Sequence, residues 1–195
     1  GLMQRDRVFD HYLDGVNYDR RPSLWVEPLG DWGKGSVHLV ENPTDDETDD
    51  NIVAMWVPDG PAKAGDVRDF DYRLHWLAGE PYPSSLARCV ATRHGRGGRE
   101  GSNRPKGVRK FVVEFIGESL TKLASGEIPE PVLTTSRGTF TDSQAVPVPN
   151  GVPGHWRVEF DLLVEGTDPV DMRLFLRRGD QILTETWLGS YVPSA

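Results

Sequence analysis

A two-residue alternation of apolar and polar side chains recurs along the chain and constrains its fold more than any other feature. Within residues 155–166, Trp156, Val158 and Phe160 alternate with polar residues, and residues 170–177 repeat the pattern. Successive side chains of a strand point to opposite faces, so this period places the apolar groups on one buried face of a sheet. A helical period is found almost nowhere. The sequence therefore predicts an all-β protein.

Turn-forming residues divide the chain into short strands of this kind. The 195 residues include 21 glycines and 15 prolines, and hydrophobic residues make up 37%. This length can bury the core of one large β domain or of two small ones. In residues 70–78, the face that carries Tyr72, Leu74 and Trp76 is predicted to be buried. The predicted strands are residues 23–27, 36–41, 51–58, 70–78, 110–117, 132–136, 155–166, 170–177 and 181–191.

Charge is divided unevenly along the chain. The net charge is −8, but residues 81–110 carry 8 basic and 1 acidic side chain, against 8 and 17 in residues 1–80 and 6 and 12 in residues 111–195. The basic segment lacks interleaved aromatic residues, so nucleic acid is not predicted as a partner. Because opposite charges attract, we instead expect this segment to dock on an acidic surface of the same protein, or of a second copy in a homodimer. We expect a basic linker over residues 81–107, and a mobile lid formed by residues 88–110. Residues 86–92 are the exception, since they contain enough apolar side chains for a short strand or a single helical turn.

Several classes of site are not supported by the sequence. No apolar run approaches the roughly eighteen residues needed to span a bilayer, so membrane insertion is not predicted. The five histidines are scattered singly, and the acidic run of residues 44–50 lacks the spacing of a calcium loop. Neither a metal nor another cofactor is therefore predicted, and the acidic run is interpreted as a solvated turn. The single cysteine, Cys89, excludes an internal disulfide.

The densest cluster of chemically useful side chains is the stretch RPSLWVEPLGDWGKG, residues 21–35. Trp25 and Glu27 share one face of a predicted strand, and Asp31 and Trp32 follow in a glycine-flanked loop. Indole rings pack on the apolar faces of ring ligands, and carboxylates bond hydroxyls or move protons, so this composition favours a sugar ligand. The alternative is an ordinary turn, in which Trp25 is a core residue and Asp31 bonds its own backbone.

The runs RPSLWVEP, WGKG and PTDDET identify a resemblance to the periplasmic glucans biosynthesis protein family that extends over nearly the whole chain. The chain resembles only the C-terminal part of these larger proteins. The resemblance implies the C-terminal strands of a mutarotase-like β-sandwich in residues 1–80, and an immunoglobulin-like β-sandwich in residues 108–195. It also implies a periplasmic location and a role in glucan biosynthesis on a β-1,2-linked backbone, with inverting endo-β-1,2-glucanase activity in some members.

The same resemblance assigns roles to the clustered residues. Asp31 best matches the catalytic acid of the family, and Glu27 is the alternative candidate for that role. The catalytic base is expected before residue 1. Trp25, Trp32 and Arg21 are expected to bind the β-1,2-glucan. An inverting enzyme needs its acid and base roughly 6.5–9.5 Å apart, or further if waters relay the proton. Two other functions remain open, namely a non-catalytic glucan-binding or assembly protein, and an interaction module in the C-terminal sandwich.

Overall fold

A computed structural model describes residues 8, 11, 17, 20–42, 52–98, 101 and 104–193. The chain separates into two compact units, Gly1–Pro83 and Ser84–Ala195. The acidic run that the sequence analysis interprets as a solvated turn lies outside the described residues.

The first unit contains two antiparallel strand pairs. Strand β1 (Ser23–Leu29) pairs with β4 (Asp71–Leu77), and β2 (Gly35–Glu41) pairs with β3 (Ile52–Pro58). All four strands overlap predicted strands, because their β-branched and aromatic residues lie between turns rich in proline, glycine and aspartate. Strand β1 extends two residues beyond its predicted end at residue 27, through Pro28 to Leu29.

The second unit contains two four-stranded sheets. The elements are β5 (Arg88–Arg96), β6 (Val108–Ile116), α1 (Glu118–Thr121), β7 (Glu130–Thr135), β8 (Thr139–Pro147), β9 (His155–Leu163), β10 (Val170–Arg178), β11 (Gln181–Ile182) and β12 (Trp187–Tyr191). In the first sheet the strand order is β5-β6-β9-β8, and in the second sheet β10 pairs with β7, β11 and β12. The short helix α1 connects β6 of the first sheet with β7 of the second.

Both sheets contribute to one hydrophobic core. Phe115 and Phe160 from the first sheet and Leu174 from the second are completely buried. The rings of Phe111 and Phe160 stack at 5.4 Å, and Trp187 contacts both. Each such side chain contributes roughly 1.5–3 kcal/mol by leaving water, so this core stabilises the unit as a β-sandwich. The predicted all-β fold is confirmed.

The expected basic linker is in part a regular strand. Arg88–Arg96 pairs with β6, so the linker prediction is wrong for residues 88–96, and the lid prediction is wrong for residues 88–96 and 108–110. Cys89 is buried, and the Thr92 hydroxyl accepts a hydrogen bond from Trp187 Nε1 (2.9 Å). The short strand that the sequence allows in residues 86–92 is present as the first part of β5, and the glycine and arginine residues that follow conceal its continuation to Arg96. Strand β8 was also missed, because most of its side chains are polar or exposed.

The apolar faces of the first unit are largely exposed. On β4, Tyr72 and Trp76 are 54% and 62% exposed, and on the other pair Val37 and Ile52 are 54% and 61% exposed. The predicted alternation along residues 70–78 is therefore correct, but the predicted burial of this face is wrong. In the described part of the chain, no second layer covers it. The sequence pattern reports which side chains share a face, and burial additionally needs a partner for that face.

Candidate functional site

The loop that follows β1 is a tight turn with two glycines in the left-handed region. Gly30 and Gly33 have φ values of 78° and 76°, which other residues rarely adopt. Between them, Asp31 Oδ1 accepts a hydrogen bond from the Gly33 amide at 2.7 Å. Asp31 therefore closes its own turn, as in the simpler of the two sequence-based interpretations, and its side chain remains exposed.

The adjacent indole is fixed in a cluster of aromatic rings. Trp32 Nε1 donates a hydrogen bond to the Asp71 carbonyl oxygen at 2.9 Å. The Trp32 ring lies edge-to-face against Phe70 (5.2 Å between centroids), Trp56 (6.1 Å) and Tyr72 (6.2 Å). Edge-to-face contacts of this kind contribute about 0.5–1.5 kcal/mol each. They hold Trp32 beside Asp31 without any ligand.

Asp31 and Trp32 line a shallow depression of about 350 Å³. Its wall also includes a second carboxylate, Asp69, and two cations, Lys34 and Arg68. Arg68 Nη2 donates to the carbonyl oxygens of Gly60 (3.1 Å) and Pro61 (3.4 Å), which fixes the guanidinium on the wall. An open depression with an aromatic wall and both donors and acceptors suits a hydroxyl-rich ring ligand.

Glu27 is held in a separate polar cluster. His75 Nε2 lies 2.8 Å from Glu27 Oε2, and Arg73 Nη1 lies 3.1 Å from the same oxygen. The hydrogen bond from His75, followed by the charge of Arg73 and a hydrogen bond from Tyr82, holds the pKa of Glu27 below its ordinary value, against the opposing effect of partial desolvation. An ionised carboxylate accepts hydrogen bonds well and is a poor proton donor.

The strand register places these two groups on opposite faces of the β1–β4 pair. Glu27 is the partner of Arg73, and Trp25 is the partner of His75, so these four side chains share one face. Tyr72, which contacts Trp32, lies on the other face. The predicted site is thus divided into Trp25 with Glu27, and Trp32 with Asp31.

The described contacts connect Arg21 with neither group, and its side chain is exposed just before β1. Other residues of both groups were missed by the sequence analysis. Arg68 and Asp69 lie more than thirty residues after Asp31, and His75 lies 48 residues after Glu27. The only indication of these residues in the sequence is an unusual density of charged and aromatic residues in 68–76. This density does not show which residues they contact, because that depends on the register of β1 and β4.

Sequence comparison connects this geometry with a known family. The family model described as "Periplasmic glucan biosynthesis protein, MdoG" matches residues 1–191. The chain belongs to this family. The MdoG family assignment confirms the resemblance on which the sequence analysis relied, and it identifies glucan biosynthesis as the process in which the family takes part.

Curated relatives support the same assignment. The chain is 65% identical over 193 residues to "Glucans biosynthesis protein D 2" of Ralstonia nicotianae, a match that covers 99% of the chain and 36% of that protein. It is 50% identical over 198 residues to "Glucans biosynthesis protein D" of Xanthomonas campestris pv. campestris, with coverages of 99% and 37%. The Stenotrophomonas maltophilia protein of that name is 49% identical over 196 residues, with coverages of 99% and 36%. The chain thus spans about a third of the length of these relatives.

Two further observations concern metal binding and membrane-spanning helices. Within the described ranges, no three His, Cys, Asp or Glu side chains are grouped so that they would hold a metal ion. The helix α1 has four residues, and none of the described helices has the length and apolar content required to cross a membrane.

Proposed function

We propose that this chain acts on the β-1,2-linked backbone of periplasmic glucan, as part of an inverting endo-β-1,2-glucanase located in the periplasm. The observation that carries the proposal is the depression in which Asp31 lies beside a fixed indole, Trp32. The name of the family supports the periplasmic location and the glucan. Aromatic and carboxylate groups together provide the contacts that a glucosyl unit requires.

Within this proposal, Asp31 is the proton donor to the glycosidic oxygen. The turn uses Oδ1 for the Gly33 amide, and in the described residues no hydrogen bond is formed to Oδ2. Glu27 is less suited to the acid role, since its lowered pKa keeps it ionised. Trp32 packs against a glucose ring in the depression. We assign to Glu27 and Arg21 the binding of sugar hydroxyls and to Trp25 packing against a glucose ring at another part of the glucan, because the register places Trp25 and Glu27 on the opposite face of the β1–β4 pair.

The catalytic base would be supplied from outside this chain. We propose that residues 1–80 are the last strands of a larger mutarotase-like β-sandwich, whose other strands cover the exposed apolar faces and bring the base. Two observations support this proposal. Trp76 and Ile52 are exposed, and the chain covers only 36% of the length of the relative from Ralstonia nicotianae. Residues 108–195 would be the immunoglobulin-like domain.

A second candidate function is a non-catalytic glucan-binding or assembly protein. The hydrogen bond between Asp31 Oδ1 and the Gly33 amide favours this alternative, because a capping aspartate needs no chemical role. The β-sandwich of the second unit would then hold a partner protein or a second copy in a homodimer.

Incubation of a full-length protein that carries this sequence with linear β-1,2-glucan separates the two functions. The hydrolase produces new reducing ends, and proton NMR shows them first as the α-anomer, since the substrate linkage is inverted. A protein that binds the glucan and produces no reducing ends is the assembly protein of the second candidate.

A further inference from the structure

Two arginines lie side by side at one end of the β5–β6 pair. Arg96 and Arg109 are direct partners in the register, so their side chains leave the same face of the sheet. Like charges directly opposite one another on neighbouring strands destabilise a sheet. A third guanidinium lies close by, because Arg104 Nη1 donates to the Arg96 carbonyl oxygen at 3.3 Å. Three arginines therefore lie at this end of the strand pair.

Arg109 is fixed before any ligand binds. Its Nε and Nη2 lie 3.1 and 2.7 Å from His94 Nδ1, and its guanidinium carbon lies 5.8 Å from the centre of the Tyr191 ring. A guanidinium only donates, so His94 accepts through Nδ1 and carries its ring proton on Nε2. An arginine held in this way loses less conformational entropy on binding than an ordinary surface arginine.

These arginines differ from a neighbouring lysine in lacking a described ion-pair partner. In the same sheet, Lys110 pairs with Asp161 at 2.8 Å. Across the ranges that the structure describes, no carboxylate forms an ion pair with Arg96, Arg104 or Arg109. In a chain with 30 acidic side chains and a net charge of −8, this is a concentrated positive potential.

We propose that Arg96, Arg104 and Arg109 form a binding site for an oxyanion, phosphate or carboxylate, that is carried by a ligand. Guanidinium groups bind both anions through paired, charge-assisted hydrogen bonds. Binding would relieve the repulsion between the facing arginines. All three residues belong to the second unit, whereas the residues of the proposed glucan site belong to the first.

Titration of a full-length protein that carries this sequence with inorganic phosphate at constant ionic strength, followed by NMR of the His94 and Tyr191 ring signals, tests this site. We expect saturable shifts in the wild type and about tenfold weaker binding in Arg109→Gln, since a charge-assisted bond pair is lost. The control Arg173→Gln removes an exposed arginine from β10 and should bind like the wild type. The Arg96 side chain has no described contact with His94. Arg96→Gln should therefore weaken binding without changing the His94 and Tyr191 ring signals in the absence of ligand.

A parallel titration with citrate distinguishes the two sources of the oxyanion. Tighter binding of phosphate assigns the site to a phosphate-bearing ligand, and tighter binding of citrate assigns it to carboxylates. The proposal is overturned if neither anion gives saturable shifts. It is equally overturned if Arg96→Gln and Arg173→Gln weaken binding to the same extent, because a general charge effect then accounts for the binding.

Discussion

Replacing Asp161 with alanine should destabilise the second unit strongly. Asp161 is 1% exposed on the outer side of β9, and its Oδ1 forms an ion pair with Lys110 Nζ at 2.8 Å. Its Oδ2 accepts the Gly98 amide hydrogen at 2.8 Å, which fixes the chain just after β5. The carboxylate thus joins β6 and the end of β5 to β9.

The magnitude follows from what the alanine variant loses. A hydrogen bond to a charged group contributes about 1.5–3 kcal/mol, and the Gly98 amide left without an acceptor costs about 1–3 kcal/mol. Lys110 is 31% exposed and can turn to water, and removing a buried carboxylate recovers part of its desolvation cost. The net loss should be about 3 kcal/mol, or roughly 10 °C in Tm for a unit of this size.

Urea denaturation monitored by tryptophan fluorescence measures this loss. The control is Glu130→Ala, which removes an exposed carboxylate from its pair with Arg177 at 2.7 Å. Because both partners of this pair are solvated, the control should change the free energy of unfolding very little. If Asp161→Ala and Glu130→Ala have the same midpoint, the buried ion pair and the Gly98 hydrogen bond do not stabilise the unit by this amount.

Three further predictions concern the first unit. Trp32→Ala should weaken β-1,2-glucan binding about tenfold, and Trp32→Phe should weaken it less, in calorimetric titrations; equal affinities would remove this ring from the site. Gly35→Ala should cost about 1–3 kcal/mol, since its Cβ would lie 2.5 Å from Trp56 Cζ2, whereas Gly79→Ala meets open space and should be neutral in thermal unfolding. Because the pKa of Glu27 is lowered from its ordinary value of 4.5, its ionised form stabilises the fold fully above pH 4.5, and this stability is lost as the pH falls through the lowered pKa. In acid titrations, the stability advantage of the wild type over Glu27→Gln should therefore shrink below about pH 4.5.

Local pattern was sufficient for much of the second unit. Phe160 and Leu174 were placed on inward faces by alternation alone, because a half-buried strand needs only its own sequence to show which side chains share a face. The apolar residues of 86–92 allow a short strand, but the continuation of β5 to Arg96 is hidden, because glycine and arginine dominate the surrounding segment. Its inward positions become visible only when Trp187 from the opposite sheet is seen to contact Thr92.

The candidate site shows a similar limit. The Asp31 turn was foreseen as an alternative, since aspartate between glycines commonly bonds a nearby amide. The contacts of Glu27 with Arg73 and His75 depend on the register of β1 and β4, which no local pattern specifies. The same register separates Glu27 from Trp32, although the two residues are close neighbours in the sequence.

The rate of β-1,2-glucan hydrolysis by Asp31→Asn, in a full-length protein that carries this sequence, tests the central claim most directly. The control is Asp66→Asn, since Asp66 also accepts a nearby amide hydrogen, that of Lys63 (2.9 Å), but lies outside the depression. Asparagine preserves both turns, so the two variants should be equally stable. Loss of a general acid costs about 10²–10⁴ in rate. We predict that loss for Asp31→Asn alone, with glucan binding retained; wild-type turnover in Asp31→Asn would contradict the assignment of Asp31 as the acid.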